Sequence, residues 1–170
     1  VIVTDRNGDA IRVKDKGDGV YTFTMPASKV EVKVTFVETD TACDGGEDCP
    51  SCHFADVDPA AWYHLAVDYV VENGLMSGYG NGLFGPNDAL SRAQLAQILY
   101  NQEGQPGVTG GSGFTDVADS AWHGGAVTWA AANGIVTGYG NGLFGPDDPI
   151  TREQLAVMLW RYARSKGHDT

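Results

Sequence analysis

The sequence predicts an α+β protein: a short antiparallel β module at the N-terminus, then two mainly α-helical repeats whose helix-loop-helix units pack together. Three observations carry this expectation. Residues 1–38 alternate apolar and polar side chains with a period of two. Beyond residue 53 that alternation gives way to helical spacing. Within the helical part the sequence then repeats itself at an offset of 60 residues.

The β module reads as four short strands, "VIVTD", "DAIRVKD", "VYTFTMP" and "KVEVKVTFVE". Turn signals separate them: Asn7-Gly8, then "DKGDG", then Pro26-Ala27-Ser28. The set is small for a core of its own, and Val1 opens in the middle of a strand-like run, so a piece of a longer polypeptide is expected. The stretch "YTFTMPASKVEVKVTF" resembles the last half of β-rich repeat modules of large bacterial surface proteins.

Residues 39–53 lose periodicity and carry Gly, Asp and three cysteines, Cys43, Cys49 and Cys52, which marks a linker. Within it "CPSCH" matches a haem-attachment pattern, but a Gly/Asp-rich connector offers no apolar pocket for haem. Zinc held by the three cysteines and His53 fits poorly too, because adjacent Cys52 and His53 would struggle to reach one tetrahedral ion. The preferred expectation is a small disulfide loop, Cys43 to Cys49 or to Cys52, with the pairing open and no metal or cofactor.

Repeat 1 spans 54–103 and repeat 2 spans 114–164, joined by a Gly-rich linker at 104–113; residues 165–170 read as the start of a further linker. The offset carries Phe54 to Phe114, Asp56 to Asp116, Trp62 to Trp122 and Arg92 to Arg152, and "GYGNGLFGPN" recurs as "GYGNGLFGPD". In each repeat a first helix containing the tryptophan stops at Asn-Gly, at 73–74 and 133–134. Its apolar set in repeat 1 is Ala61, Leu65, Val67, Tyr69 and Val70. The second helix starts at Ser91 or Thr151 and carries a stripe such as Leu95, Ile98 and Leu99. Two helices of this length cannot close a core alone, so neighbouring repeats should pack on each other.

Ser91-Arg-Ala-Gln94 and Thr151-Arg-Glu-Gln154 fit the capping box, in which the hydroxyl accepts from the N3 amide and the N3 side chain returns to the cap amide. The box leaves Arg92 and Arg152 unexplained, since a cation in the first turn sits at the positive end of the helix dipole. One reading pairs them with Asp88 and Asp148. The other joins the guanidinium to free helix-start amides as a corner that binds a carboxylate. Before the box, "GYGNGLFGP" is no phosphate loop: it lacks a preceding strand, an immediate helix and the Walker lysine. Its glycines make turns, Leu83 and Phe84 are expected to plug the core, and Tyr79 and Tyr139 suit either core packing or a sugar ring. Trp62 and Trp122 divide in the same way between core anchor and carbohydrate platform. Asp56 and Asp116 are expected to bond backbone locally in a turn.

With 22 acids against 11 lysines and arginines the net charge is −11, which argues against nucleic acid and anionic membranes. No apolar run approaches the roughly 20 residues needed to span a bilayer. Catalytic motifs are missing as well: there is no H-E-x-x-H, G-x-S-x-G or Walker sequence. No enzymatic activity is expected of these residues.

Taken together, F-x-D-V, the Trp-containing helix, N-G-[IL]-x-x-G-Y, "FGP", I-T-R-x-[EQ] and "LAVMLWRYA" resemble the S-layer homology (SLH) domain of bacterial surface proteins. The resemblance implies three such repeats around a pseudo-threefold axis, with ligand grooves between neighbours. It also implies an extracellular, cell-wall-associated protein held noncovalently on secondary cell-wall polysaccharide, often through pyruvate-ketal sugars. Carried over by motif, the glycan-binding residues are Arg92, Arg152, Ser91, Thr151, Gln94 and Gln154, with Trp62 and Trp122 in the groove. Ser91 replaces the usual threonine, and both boxes carry glutamine where glutamate is common. A third repeat is expected from the same parent chain. The alternative is a structural or protein-interaction module that binds no glycan.

Overall fold

A computed structural model describes residues 2–5, 7–16, 20–25, 29–33, 46 and 48–168. They fall into two compact units, Val1–Thr41 and Ala42–Thr170.

The first unit contains the four short strands: β1 (Ile2–Asp5), β2 (Val13–Asp15), β3 (Tyr21–Phe23) and β4 (Val30–Lys33). They pair antiparallel, β1 with β4 and β2 with β3, in registers that set Val3 against Val32 and Val13 against Phe23. Asn7-Gly8 makes the expected turn. The Asp5 carboxylate accepts from the amides of Asn7 and Asp9 at 2.8 and 3.0 Å, and Gly8 takes a φ of +87° that glycine adopts without strain. The turns expected over 17–19 and 26–28 lie outside the described residues.

The second unit holds four helices, α1 (His64–Glu72), α2 (Arg92–Gln102), α3 (Gly124–Ala132) and α4 (Arg152–Ser165). Both first helices stop at Asn-Gly as expected. Gly74 and Gly134 take positive φ, and the amides of Leu75 and Ile135 reach back to the carbonyls of Val70 and Ala130 at 2.8 Å. Both second helices carry complete capping boxes, from Ser91 with Gln94 and from Thr151 with Gln154. Among the described residues no helix is long and apolar enough to cross a membrane.

The repeats pack on each other, α2 against α3. One apolar core runs through both, with Ala93, Ala96 and Leu99 of α2 meeting Val127, Trp129 and Ala130 of α3 above Ile135, Phe144 and Met158. Alanines at 93 and 96 let the helices approach closely, and Tyr100 tilts against Trp129 at 5.7 Å. Repeat 1 keeps only a small core of its own, Phe54, Val57 and Val67 with Tyr63, Val71 and Phe84 packed against it.

Two expectations about burial are corrected, and one about hydrogen bonding is extended. The buried face of α1 is His64 and Val67, whereas Leu65 and Tyr69 are 38% and 60% exposed. The helix begins at His64, after turns through Asp58–Tyr63, so Ala61 and Trp62 are not helical. The side bearing Leu65 and Tyr69 corresponds to the side of α3 that α2 covers, and no described helix covers it on α1. Leu83 and Leu143 stay half-exposed while Phe144 is fully buried and Phe84 partly so, because only the phenylalanine of each pair turns inward. Asp56 and Asp116 bond backbone beyond their own turn as well: each carboxylate binds the amides of Phe84 and Gly85, or Phe144 and Gly145, at 2.7–3.1 Å, fastening the glycine loop to the start of its repeat.

Candidate functional site: two grooves between repeats

The two helix starts that share a sequence do not share an environment. At α2 the first amide, Arg92, donates to the carbonyl of Asp148 and the second, Ala93, to that of Pro146, each at 3.0 Å. The third, Gln94, donates to the Ser91 hydroxyl. Every one of these donors is thereby taken by protein, so the anion corner expected at this helix start has no backbone amides left to offer. The positive pole of the helix is met instead by carbonyls of the other repeat. At α4 the Gln154 amide binds the Thr151 hydroxyl, and among the described residues no acceptor meets the amides of Arg152 and Glu153.

Arg92 is buried, 6% exposed, although it is the first residue of its helix. Its Nε donates to the carbonyl of Phe144 at 2.8 Å, and its guanidinium carbon lies 4.6 Å from the Tyr139 ring centre and 4.8 Å from that of Phe144. The ring quadrupoles and the carbonyl offset the loss of water around the cation. Neither Asp88 nor Asp148 pairs with it. The Asp148 carboxylate accepts from the Tyr139 hydroxyl at 2.8 Å instead. Burial and then that bond hold the Tyr139 hydroxyl above its ordinary range. Arg152 is exposed.

Two cavities flank these contacts. One, of about 330 Å³, is lined by Thr137, Gly138, Tyr139, Glu153, Gln154, Val157, Met158 and Arg161 of repeat 2 and is completed by Arg92 of repeat 1. The other, of about 490 Å³, is lined by Ser77, Gly78, Tyr79, Gln94, Gln97, Ile98 and Asn101 of repeat 1, and is completed by Trp122 of repeat 2. Eight positions of the first match eight of the second at the offset of 60, with Val136 and Met76 among them. They are one groove made twice, and each copy borrows a single residue from the neighbouring repeat.

Their chemistry differs. The repeat 2 groove presents Arg92 and Arg161, neither within ion-pair distance of a carboxylate among the described residues, although Arg161 donates to the Thr137 hydroxyl at 3.3 Å. The repeat 1 groove is neutral and amide-rich. Gln97 donates to Asn101 at 2.7 Å and Asn101 to the carbonyl of Leu75 at 3.0 Å, which leaves the buried Gln97 Oε1 with no donor among the described residues. A buried acceptor of this kind is costly unless something donates to it. Trp122, 62% exposed, offers a flat ring at the rim, and Tyr79 and Tyr139 are about half exposed.

Of the residues expected to form the site, Arg92, Gln94, Gln154 and Trp122 line these grooves. Ser91 and Thr151 serve as caps, and Arg152 and Trp62 line neither groove; Trp62 is 95% exposed. Neither Trp62 nor Trp122 is a core residue. Sequence reasoning missed Arg161 and Gln97, which occupy the groove-facing side of α4 and α2; their spacing of seven residues from Gln154 and three from Gln94 was the available signal. Of the disulfide candidates, Cys43 lies outside the described residues, and Cys49 and Cys52 are half-buried beside α1.

The family model for the S-layer homology domain matches residues 53–96 and 113–156, just over half of the chain, and neither match reaches the β-rich unit. Among curated proteins the chain is similar to cell surface glycoprotein 1 of Acetivibrio thermocellus, 32% identical over 98 residues, 55% of this chain and 4% of that protein. It is also similar to the cellulosome-anchoring protein of the same organism, 30% identical over 96 residues, 54% of this chain and 22% of that protein. The surface layer protein of Brevibacillus choshinensis is 30% identical over 92 residues, 52% of this chain and 8% of that protein. The chain therefore spans less than a quarter of the length of these relatives. Two tandem matches, offset by the same 60 residues as the sequence repeat, make this chain a member of the S-layer homology domain family of bacterial cell-surface proteins.

Proposed function

We propose that this chain anchors an exported protein noncovalently to the bacterial cell wall by binding secondary cell-wall polysaccharide in its inter-repeat grooves, as a binding module and not a catalyst. The observation that carries this reading is the pair of matched grooves, each walled by one repeat and completed by a residue of the other. An extended glycan laid across such grooves reads the junction between repeats. Family membership and the surface proteins among the relatives support the cell-wall location.

The finer part of the proposal concerns charge. The groove holding Arg92 and Arg161 suits an anionic sugar such as a pyruvate ketal, whose carboxylate a guanidinium fork can hold in two parallel hydrogen bonds. The groove holding Gln97, Asn101 and Trp122 suits a neutral sugar, its ring on the tryptophan and a hydroxyl donating to Gln97 Oε1. With an overall charge of −11 the protein gains nothing from long-range attraction to a polyanion, so affinity rests on short-range geometry and salt affects it modestly.

A third repeat is part of the same proposal. Leu159 and Trp160 of α4, 44% and 46% exposed, correspond to Leu99 and Tyr100 of α2, which pack on α3. Leu65 and Tyr69 of α1 correspond to the α3 side that α2 covers. One more helix pair set between these two open faces would bury both.

Binding to wall polysaccharide is measured for the chain and its variants before and after mild acid removes the pyruvate. Arg161→Gln is expected to weaken binding to the pyruvylated polymer only, and Trp122→Ala to weaken binding to both. Binding indifferent to pyruvate removal overturns the anionic assignment. Retention on sacculi stripped of polysaccharide by hydrofluoric acid overturns glycan anchoring and favours a protein-interaction module.

A further inference from the structure

A second cluster of chemistry-bearing residues lies away from both grooves, where the cysteine-containing segment meets α1. The Cys49 Sγ is 3.3 Å from His64 Nε2 and 3.4 Å from Asp68 Oδ1, and His64 Nε2 is 3.3 Å from Asp68 Oδ2. Cys52 completes the group: the ligand atoms of Cys49, Cys52 and His64 all lie within 4.8 Å of one another. We infer that Cys49, Cys52 and His64 bind a zinc ion, with Asp68 in the fourth position.

Cys49 Sγ and His64 Nε2 stand 3.3 Å apart and each lies 3.3–3.4 Å from an Asp68 oxygen, while Cys52 Sγ, within 4.8 Å of Cys49 Sγ and His64 Nε2, closes in on binding. Donors about 2.0–2.3 Å from a tetrahedral zinc lie about 3.3–3.8 Å apart. His64 and Asp68 are four residues apart on α1 and so project from one face. The cysteines reach them because Cys49-Pro50-Ser51-Cys52 is a tight turn, closed by the Cys52 amide on the Cys49 carbonyl at 3.2 Å. The turn is pinned to the helix by Ser51, whose amide and hydroxyl donate to Asp68 Oδ1 at 3.0 and 2.6 Å. His64 is 1% exposed, and its Nδ1 has no partner among the described residues, so the only polar engagement of the ring is Nε2 turned to the cluster. Two thiolates, an imidazole and a carboxylate form a donor set that favours zinc over hard cations.

Repeat 2 supplies an internal control. At the offset of 60 the helix donors His64 and Asp68 are replaced by Gly124 and Thr128, and the linker before repeat 2 contains no cysteine. The cluster is therefore not a requirement of the repeat fold. The histidine that serves is His64, not the His53 beside Cys52, and this removes the objection that adjacent residues cannot share one ion. On binding, the two thiols release their protons to solvent and no electron moves.

The whole chain, secreted from a bacterial host and purified without chelator, is assayed for metal by plasma mass spectrometry and for cysteine state by alkylation and peptide mapping. Expected are one zinc per chain, Cys49 and Cys52 protected from alkylation until chelator is added, and, after cobalt exchange, thiolate-to-cobalt charge-transfer bands with tetrahedral visible bands. Cys52→Ser, at a half-buried position, should lower zinc affinity by about 100-fold or more, and His64→Gln likewise. Because replacing buried His64 risks unfolding repeat 1, the Cys52 variant and the cobalt spectrum of the unaltered chain decide the matter. Zinc far below one per chain, zinc retained in Cys52→Ser, or either cysteine found in a disulfide overturns the site.

Discussion

The Nε of Arg92 donates to the carbonyl of Phe144 at 2.8 Å, so the cation that opens a helix of one repeat closes on the glycine loop of the other. Its sequence twin, Arg152, is exposed. Identical motifs thus carry unequal energetic weight. Arg92→Lys, which loses the Nε donor and the planar stack, should destabilise the protein by about 1.5–3 kcal/mol. Arg152→Lys should change stability by no more than about 0.5 kcal/mol. Urea unfolding of the two variants side by side checks this, and equal effects would refute it.

Asp116 should govern the acid limb of stability. Burial raises its carboxyl, but the amides of Phe144 and Gly145 outweigh that, and its pKa in the folded state lies below the ordinary 3.8. A group lowered by folding contributes stability that is complete above its unfolded value and is lost as pH falls through the folded one. Asp116→Asn should lower the thermal midpoint at neutral pH and flatten its decline below about pH 4. Melts taken from pH 7 downward read both effects.

Tyr162 should govern the alkaline limb. Burial first, and then its hydrogen bond to Glu103 at 2.6 Å, push the phenol from 10.0 up to about 12. Here the folded value is the higher one, so the contribution is complete below pH 10 and is lost as pH rises toward 12. The Glu103 carboxylate also accepts from Lys166 at 2.6 Å, which ties the end of α2 to the end of α4. Tyr162→Phe should remove the stability slope between those two pH values, as followed by chemical denaturation.

Gly138 is held by sterics at the groove wall. Its φ is +62°, and a Cβ there would stand 2.5 Å from the Leu143 carbonyl oxygen and 2.6 Å from Phe114 Cε1. Gly138→Ala should cost about 1–3 kcal/mol. It should also impair ligand binding in the repeat 2 groove more than in the repeat 1 groove. Calorimetric titration with wall glycan, using the Gly74→Ala variant (open space around the Cβ) as a control for backbone strain alone, separates packing from φ.

What was legible in the sequence was local or repeated. The caps at Ser91 and Thr151 and the stops at Asn73-Gly74 and Asn133-Gly134 are set by residues three or four apart, and the offset of 60 announced two equivalent units. What escaped depends on neighbours distant along the chain. The partners of the Arg92 and Ala93 amides are carbonyls at 148 and 146, which no local pattern reveals. The exposure of Leu65 and Tyr69 follows from which helix covers which face, not from the periodicity of α1. His64 meets Cys49 only because a turn folds back fifteen residues earlier. Within the candidate site, Gln94 and Gln154 were visible as capping residues, while Arg161 and Gln97 emerged only when the loops brought their helix faces to a cavity.

The carbonyls that satisfy the start of α2 belong to residues made more than fifty positions later. A chain emerging from its N-terminus therefore exposes repeat 1 with Arg92 in water and two helix amides unmet until Pro146 and Asp148 follow. Its second helix matures on the schedule of repeat 2. The two repeats then gain and lose their order together, as a single cooperative folding unit whose assembly is coupled to the progress of synthesis.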